Sequence, residues 1–216
     1  MANAITVGRL VLLFVVVWLI HVGNVGVIET SMILIILVFG SDGVDGWVAR
    51  KRNSTSTFGA VFDIAGDRIV ENVLWVVFAD LNLIPVWIPL MVLTRGFIVD
   101  ALRSLHVTEG TTSFGGSKMM RSAFTEWLTA GRFMRAFYGY AKAAGFVFLT
   151  GLAGDRRLDT SGTALGTLYG WDWFHFVGWF CVWAAVALTV IRGLPVIYDS
   201  LAYIREVDRR DGGPKS

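Results

Sequence analysis

Four aspartates stand inside otherwise apolar stretches of this 216-residue chain, at Asp42, Asp45, Asp63 and Asp67. A carboxylate at membrane depth costs at least ~2.5–3.5 kcal/mol per residue, so something must offset it. Asp42 and Asp45 are one helical turn apart, and Asp63 and Asp67 are likewise one turn apart on the next apolar segment. Two carboxylate pairs on neighbouring helices can converge on hard cations. Oxygen donors of this kind suit Mg2+, Mn2+ or Ca2+ far better than zinc, which recruits His or Cys. Cys181 is the only cysteine, and His21, His106 and His175 are scattered without ligand spacing, so neither residue type offers a rival metal site.

The elements that hold these acids follow from composition. The chain is 55% hydrophobic with a mean hydropathy of +0.60, and its apolar residues come in long runs. That combination predicts an all-α, polytopic membrane protein. Windows long enough to cross a bilayer fall at 8–27, 31–49, 58–79, 84–105, 133–152 and 173–197, which predicts six transmembrane helices in a single domain over 1–216. Short links at 28–30 and 80–83 imply antiparallel neighbours, whereas 107–132 reads as a longer, partly polar connector containing Gly115-Gly116. The apolar run after Arg9 reads as a retained first span rather than a cleaved signal.

Orientation follows from the basic residues. Arg50, Lys51 and Arg52, then Lys118, Arg121, Arg132 and Arg135, then Arg205, Arg209, Arg210 and Lys215 of a tail at 205–216 all fall on one side of a six-span chain. The other side has little beyond Arg156 and Arg157. Both termini and the acid cluster are therefore expected toward the cytoplasm, in a prokaryotic plasma membrane. Trp171 and Trp173 suit an interfacial belt. The net charge of +2 gives no reason to expect nucleic acid as a partner.

Written out, the central segment reads Asp42-Gly43-Val44-Asp45-Gly46-Trp47-Val48-Ala49-Arg50, a polar stretch, then Gly59-Ala60-Val61-Phe62-Asp63-Ile64-Ala65-Gly66-Asp67. This resembles the signature of the CDP-alcohol phosphotransferase family at every fixed position: two acids three apart, Gly46, Ala49, Arg50, Gly59, then two acids four apart. The residue types also make sense on their own. Gly46 and Ala49 leave the helix surface bare for close approach, and Gly59 keeps the start of the next helix clear. Arg50 lies two turns beyond Asp42, where a guanidinium can pair with a phosphate or an acid.

The four aspartates form the candidate metal set. The resemblance implies that Asp42, Asp45 and Asp63 hold two divalent ions, Mg2+ or Mn2+, while Asp67 takes a proton from the acceptor hydroxyl. It further implies a CDP-lipid site involving Asp42, Gly46, Ala49, Arg50 and Gly59, a CDP-diacylglycerol-like donor, release of CMP, surrounding membrane lipids and a homodimer. The segment Thr94-Arg95-Gly96 through Arg103 is similar to the arginine-bearing helix of phosphatidylglycerophosphate synthases. There Arg95 and Arg103, with Lys142, would bind the phosphate of glycerol 3-phosphate.

Inositol phosphate or another phosphorylated alcohol stays open as acceptor, because it would need the same metals and a similar basic pocket. Gly96 and Gly66 stand where many phosphatidylglycerophosphate synthases carry Glu and Ala. A transporter is the reading from another class, since intramembrane acids and arginines also build ion and proton relays. It places no demand on Gly46, Ala49 and Gly59 at fixed offsets. Asp42→Asn, Asp45→Asn and Asp63→Asn are each expected to abolish turnover and weaken divalent-ion binding, measured by titration of the purified protein; near-normal activity at low Mg2+ removes the residue concerned from the ligand set.

Overall fold

The computed structural model describes residues 2–52, 57–108 and 131–211. They form helices with no strand among the described residues: α1 (Ala2–Val22), α2 (Val25–Arg52), α3 (Thr57–Asp80), α4 (Trp87–Thr108), α5 (Arg132–Asp155), the short α6 (Ala164–Tyr169) and α7 (Asp172–Asp211). Two stretches, Ala4–Val22 and Asp172–Pro195, are long and apolar enough to cross a membrane, and Val25–Gly40 is a shorter apolar stretch. Most of the connector expected at 107–132 lies outside the described residues.

The first link differs from the sequence expectation. Helix α1 stops at Val22 and α2 starts at Val25, so the turn is Gly23-Asn24 and the expected link at 28–30 is helical. Gly23 fits there because an added Cβ would meet the Leu19 carbonyl and the Val27 side chain at 2.5 Å. Asn24 then accepts from the Val27 amide at 3.1 Å, as an N-cap does. Thr30 and Ser31 turn their hydroxyls back onto the Gly26 and Val27 carbonyls at 2.8 Å, which lets polar residues continue the helix.

The end of α3 has a local cause too. Asn82 adopts φ 57°, the Asn82 amide donates to Ala79 O at 3.0 Å, and the Leu83 amide donates to Phe78 O at 3.0 Å. This is a Schellman closure with its usual apolar contact partners, Phe78 and Leu83, both buried. Pro85 follows, and α4 begins at Trp87 rather than at residue 84.

The described chain forms two compact units, Met1–Leu90 with Ala141–Trp183 and Met91–Tyr140 with Ala184–Ser216. In the first, α1 packs against α2 and α3. Its buried stripe Leu13, Val16 and Ile20 has the three- and four-residue spacing of one helix face. Phe146 of α5 lies among Trp75 (4.8 Å, edge-on), Phe78 (5.7 Å) and Phe39 (5.6 Å). Small residues set the close approaches: Gly154 makes room for Ile28, and a Cβ on Gly145 would stand 3.3 Å from Val182. In the second unit, Val99 is buried on α4, Ser200 on α7, and α7 carries Pro195 within the helix.

A clasp of loop and helix-end contacts closes one end of the first unit. Thr163 caps α6 by accepting from the Gly166 amide at 3.1 Å, and Glu29 accepts from the Leu165 amide at 3.1 Å. Arg157 donates to the Ile20 carbonyl near the C-terminus of α1, where positive charge is favoured. Tyr169 stacks on Phe148 and donates its hydroxyl to the Phe148 carbonyl at 2.5 Å. Burial pushes the Tyr169 phenol up, so it stays a donor. Tyr169→Phe is expected to lower stability in detergent by about 0.5–1.5 kcal/mol, the net value of one hydrogen bond. Gly151→Ala, which drives a methyl into the Tyr169 ring, is expected to cost more. Denaturant unfolding measures both, and a Tyr169→Phe protein as stable as the parent shows that the phenol hydroxyl adds nothing.

Candidate active site

Helix α3 carries a line of acids. Gly59 lies in its first turn and is partly buried, and beyond it Asp63, Asp67 and Glu71 follow at four-residue intervals along one face. Three acids on one face repel one another, so cations have to come from elsewhere. Arg9 of α1 donates through Nη2 to Asp67 Oδ1. Lys142 of α5 donates to Glu71 Oε2 at 3.0 Å, and Arg68 Nη1 lies 3.9 Å from the same oxygen.

Exposure separates the two pairs. The Glu71 and Lys142 side chains are 5% and 14% exposed, so their pair is enclosed by packing. Arg9 is only 3% exposed, but Asp67 keeps 47% of its side-chain surface. Asp67 thus pairs with Arg9 and keeps nearly half its side-chain surface, whereas Glu71 is enclosed where it joins α3 to α5. The Lys142 ammonium also lies 5.9 Å from the centroid of the Phe39 ring, a cation–π distance that ties α2 to the same pair.

Helix α2 runs continuously through Asp42, Asp45, Gly46, Ala49 and Arg50 to Arg52. Side chains at 41–58 lie outside the described residues, as does that of Arg103. Asp63 and Asp67 are placed one turn apart on α3, and Lys142, expected at the acceptor phosphate, is bonded to Glu71.

In the second unit Arg95 of α4 is half-buried against Gly193 of α7, where an added Cβ would stand 2.6 Å from Arg95 Nε. The neighbouring Arg192 sets its guanidinium carbon 5.0 Å from the Tyr138 ring centroid. Tyr138 in turn shares a 3.1 Å hydrogen bond with Thr189. Two arginines from different helices, one of them braced by an aromatic ring, give this unit the charge to hold an anion.

Sequence reasoning missed Arg9 and Arg192 as members of these clusters, whereas Glu71, a helix-packing acid, is bonded to a neighbouring helix. For Arg192 the signal was available, since an arginine inside an otherwise apolar span is a functional hint by itself. Arg9 lies near the start of an apolar helix and reads there as a flanking charge; only the packing of α1 on α3 assigns it a partner.

The enclosed pair generates a stability prediction. Lys142→Met removes the ammonium 3.0 Å from the buried Glu71 carboxylate and is expected to cost roughly 3–5 kcal/mol. Glu71→Gln combined with Lys142→Met should recover much of that loss, because the two enclosed charges are removed together and only the partly exposed Arg68 loses a partner. Unfolding midpoints of the parent, single and double variants measure the coupling, and simple additivity would mean that the two groups do not act as a pair.

Comparison with known proteins gives these clusters a context. The family model described as CDP-alcohol phosphatidyltransferase matches residues 1–191. The chain is 32% identical over 71 residues to a Bacillus subtilis CDP-diacylglycerol--glycerol-3-phosphate 3-phosphatidyltransferase, covering 33% of this chain and 37% of that protein. It is 30% identical over 125 residues to the Treponema pallidum protein of the same name, covering 56% and 57%. An Arabidopsis thaliana CDP-diacylglycerol--inositol 3-phosphatidyltransferase 1 is 45% identical over 49 residues, 23% of this chain and 22% of that one. The chain thus spans between about a fifth and just under three fifths of the length of these relatives. With its match running through both acid pairs and beyond Arg95, the chain belongs to the CDP-alcohol phosphatidyltransferase family.

Proposed function

We propose that this protein is a membrane enzyme that transfers a phosphatidyl group from a CDP-linked lipid to an alcohol, with release of CMP. The observation that carries the reading is the spacing of Asp42, Asp45, Asp63 and Asp67 with Gly46, Ala49, Arg50 and Gly59, in a chain of this family. The acceptor favoured is glycerol 3-phosphate. Relatives bearing that acceptor in their names support it, as do the half-buried Arg95 and Arg192, whose guanidinium groups can bind a phosphate.

The donor set fits a hard divalent ion, because it consists of carboxylate oxygens and includes no thiolate or imidazole. Asp42, Asp45 and Asp63 would hold Mg2+ or Mn2+, with Asp67 at the border. When bound, the ions supply positive charge to the pyrophosphate of the CDP-lipid. Asp67 accepts the proton of the acceptor hydroxyl, whose oxygen bonds to the β-phosphorus. The bond from that phosphorus to the oxygen bridging the two phosphates breaks, and CMP leaves. The Gly46 and Ala49 surface admits the nucleotide, and Arg50 and Gly59 border it. Arg103 would add a further positive charge for the acceptor phosphate.

The same reading places the long helices as six membrane spans in a prokaryotic plasma membrane. The site and both termini then face the cytoplasm, and the chain works as a homodimer. The basic residues at 50–52, 118–135 and 205–215 support this orientation.

The test is CMP release from CDP-diacylglycerol by purified protein with Mg2+ or Mn2+ and a panel of alcohols. Glycerol 3-phosphate is expected to be the best acceptor and unphosphorylated glycerol a poor one. Arg95→Gln should raise the KM for glycerol 3-phosphate by about one to two orders of magnitude, the worth of a charge-assisted hydrogen bond, while that for the CDP-lipid stays near the parent value. Preference for inositol or inositol phosphate would move the assignment within the family. No CMP release with any alcohol would remove the transferase reading in favour of an ion-coupled one.

A further inference from the structure

Helix α1 holds one arginine and no lysine, and that arginine is not at the surface. Arg9 is 4% exposed, and it belongs to the buried stripe Thr6, Arg9, Leu13, Val16 and Ile20, whose alternating three- and four-residue spacing marks a packing seam. A guanidinium in such a seam is costly unless matched. Its match is Asp67, to which Nη2 donates. The approach of α1 is close here because Gly66 has no side chain: an added Cβ would stand 2.6 Å from Thr6 Cγ2 and 3.7 Å from Arg9 Nη2. Thr6, 3% exposed, fills that space. Two independent features, an ion pair and a side-chain-free contact one residue away, therefore fix the same point of α1 against the same turn of α3.

We infer that Arg9 is a positioning residue for Asp67, orienting its half-exposed carboxylate toward the acceptor hydroxyl, and that Gly66 is the contact that lets α1 deliver it. The inference rests on the proposal that Asp67 takes the acceptor proton. It gives the first helix a part in catalysis beyond spanning the membrane. Arg9 acts through Asp67 and touches no substrate. A guanidinium suits the task better than an ammonium, since its planar fork fixes direction as well as charge.

The experiment measures kcat and both KM values for Arg9→Gln, Arg9→Lys, Asp67→Asn and the Arg9→Gln/Asp67→Asn double variant. Arg9→Gln is expected to lower kcat by ~10-fold or more with both KM values within about twofold of the parent. Arg9→Lys should recover part of the loss. The double variant should fall no more than about twofold below Asp67→Asn, because the two groups act as one unit. A raised KM for the CDP-lipid or the acceptor with kcat kept would make Arg9 a substrate ligand and overturn the inference. Losses that multiply would do the same.

Should Arg9→Gln fail to fold, Gly66→Ala carries the test with both charges intact. It should lower kcat at unchanged KM, and Thr6→Ser, which deletes the obstructing methyl, should restore it. Parent-like kcat in Gly66→Ala overturns the inference. A readout independent of activity is the Thr6→Cys/Gly66→Cys pair in a Cys181→Ala background. Mild oxidation should form an intrachain disulfide, read as loss of maleimide-reactive thiols by intact mass. Failure to cross-link overturns the docking of α1 whatever the activity. A cross-linked protein whose parent releases no CMP overturns the proposed reaction, and a catalytic role for the contact with it.

Discussion

Asp63, Asp67 and Glu71 share one face of α3, and in an apolar bundle three acids at four-residue intervals cannot be left to solvent. Much of the first unit is arranged around matching them. Arg9 comes from α1, Lys142 from α5, and Arg68 from α3 itself. Each partner arrives on a different helix, so the charges that threaten the fold also fix which helices neighbour α3 and at what height. Losing one member of an enclosed pair exposes the other to an apolar surrounding, which is the costly case. The same interactions therefore hold the bundle and the candidate site.

Close approach is the second requirement, because ion pairs between helices need backbones near enough for side chains to meet. Among apolar helices the driving force is shape, and small residues supply it. Gly66 brings α1 onto α3, Gly154 brings α5 onto Ile28 of α2, and Gly145 accepts Val182. In the second unit Gly193 does this for Arg95. Within the first unit, Phe146 packs its ring against Trp75, Phe78 and Phe39. The glycines thus do different work at each place, and only Gly66 borders the acids.

A division of roles among like residues follows from environment. Asp67 and Glu71 are separated by one helical turn and each meets a cation, yet one keeps nearly half its surface and the other is enclosed. The exposed group can take part in chemistry; the enclosed one joins helices. Likewise Lys142 pairs with a carboxylate, while Arg192 in the second unit lies against the Tyr138 ring. Residue type alone distinguishes none of these.

The sequence by itself determined the helical class, the places of the long helices and the family. Apolar runs, an eight-position signature and fixed offsets are properties of the chain in one dimension. It misplaced the first turn, because Gly23-Asn24 is set by a cap and a steric contact too local for hydropathy to register. It passed over Arg192, and it did not reveal the partners of Arg9 and Lys142. Those assignments depend on which faces meet across 58 and 71 residues of separation, for Arg9 with Asp67 and Lys142 with Glu71. Periodicity shows that a residue lies on a buried stripe, but the stripe's partner is chosen by packing. Only the tertiary structure brings Gly66 beneath Thr6 and so puts a guanidinium on the last aspartate of the signature.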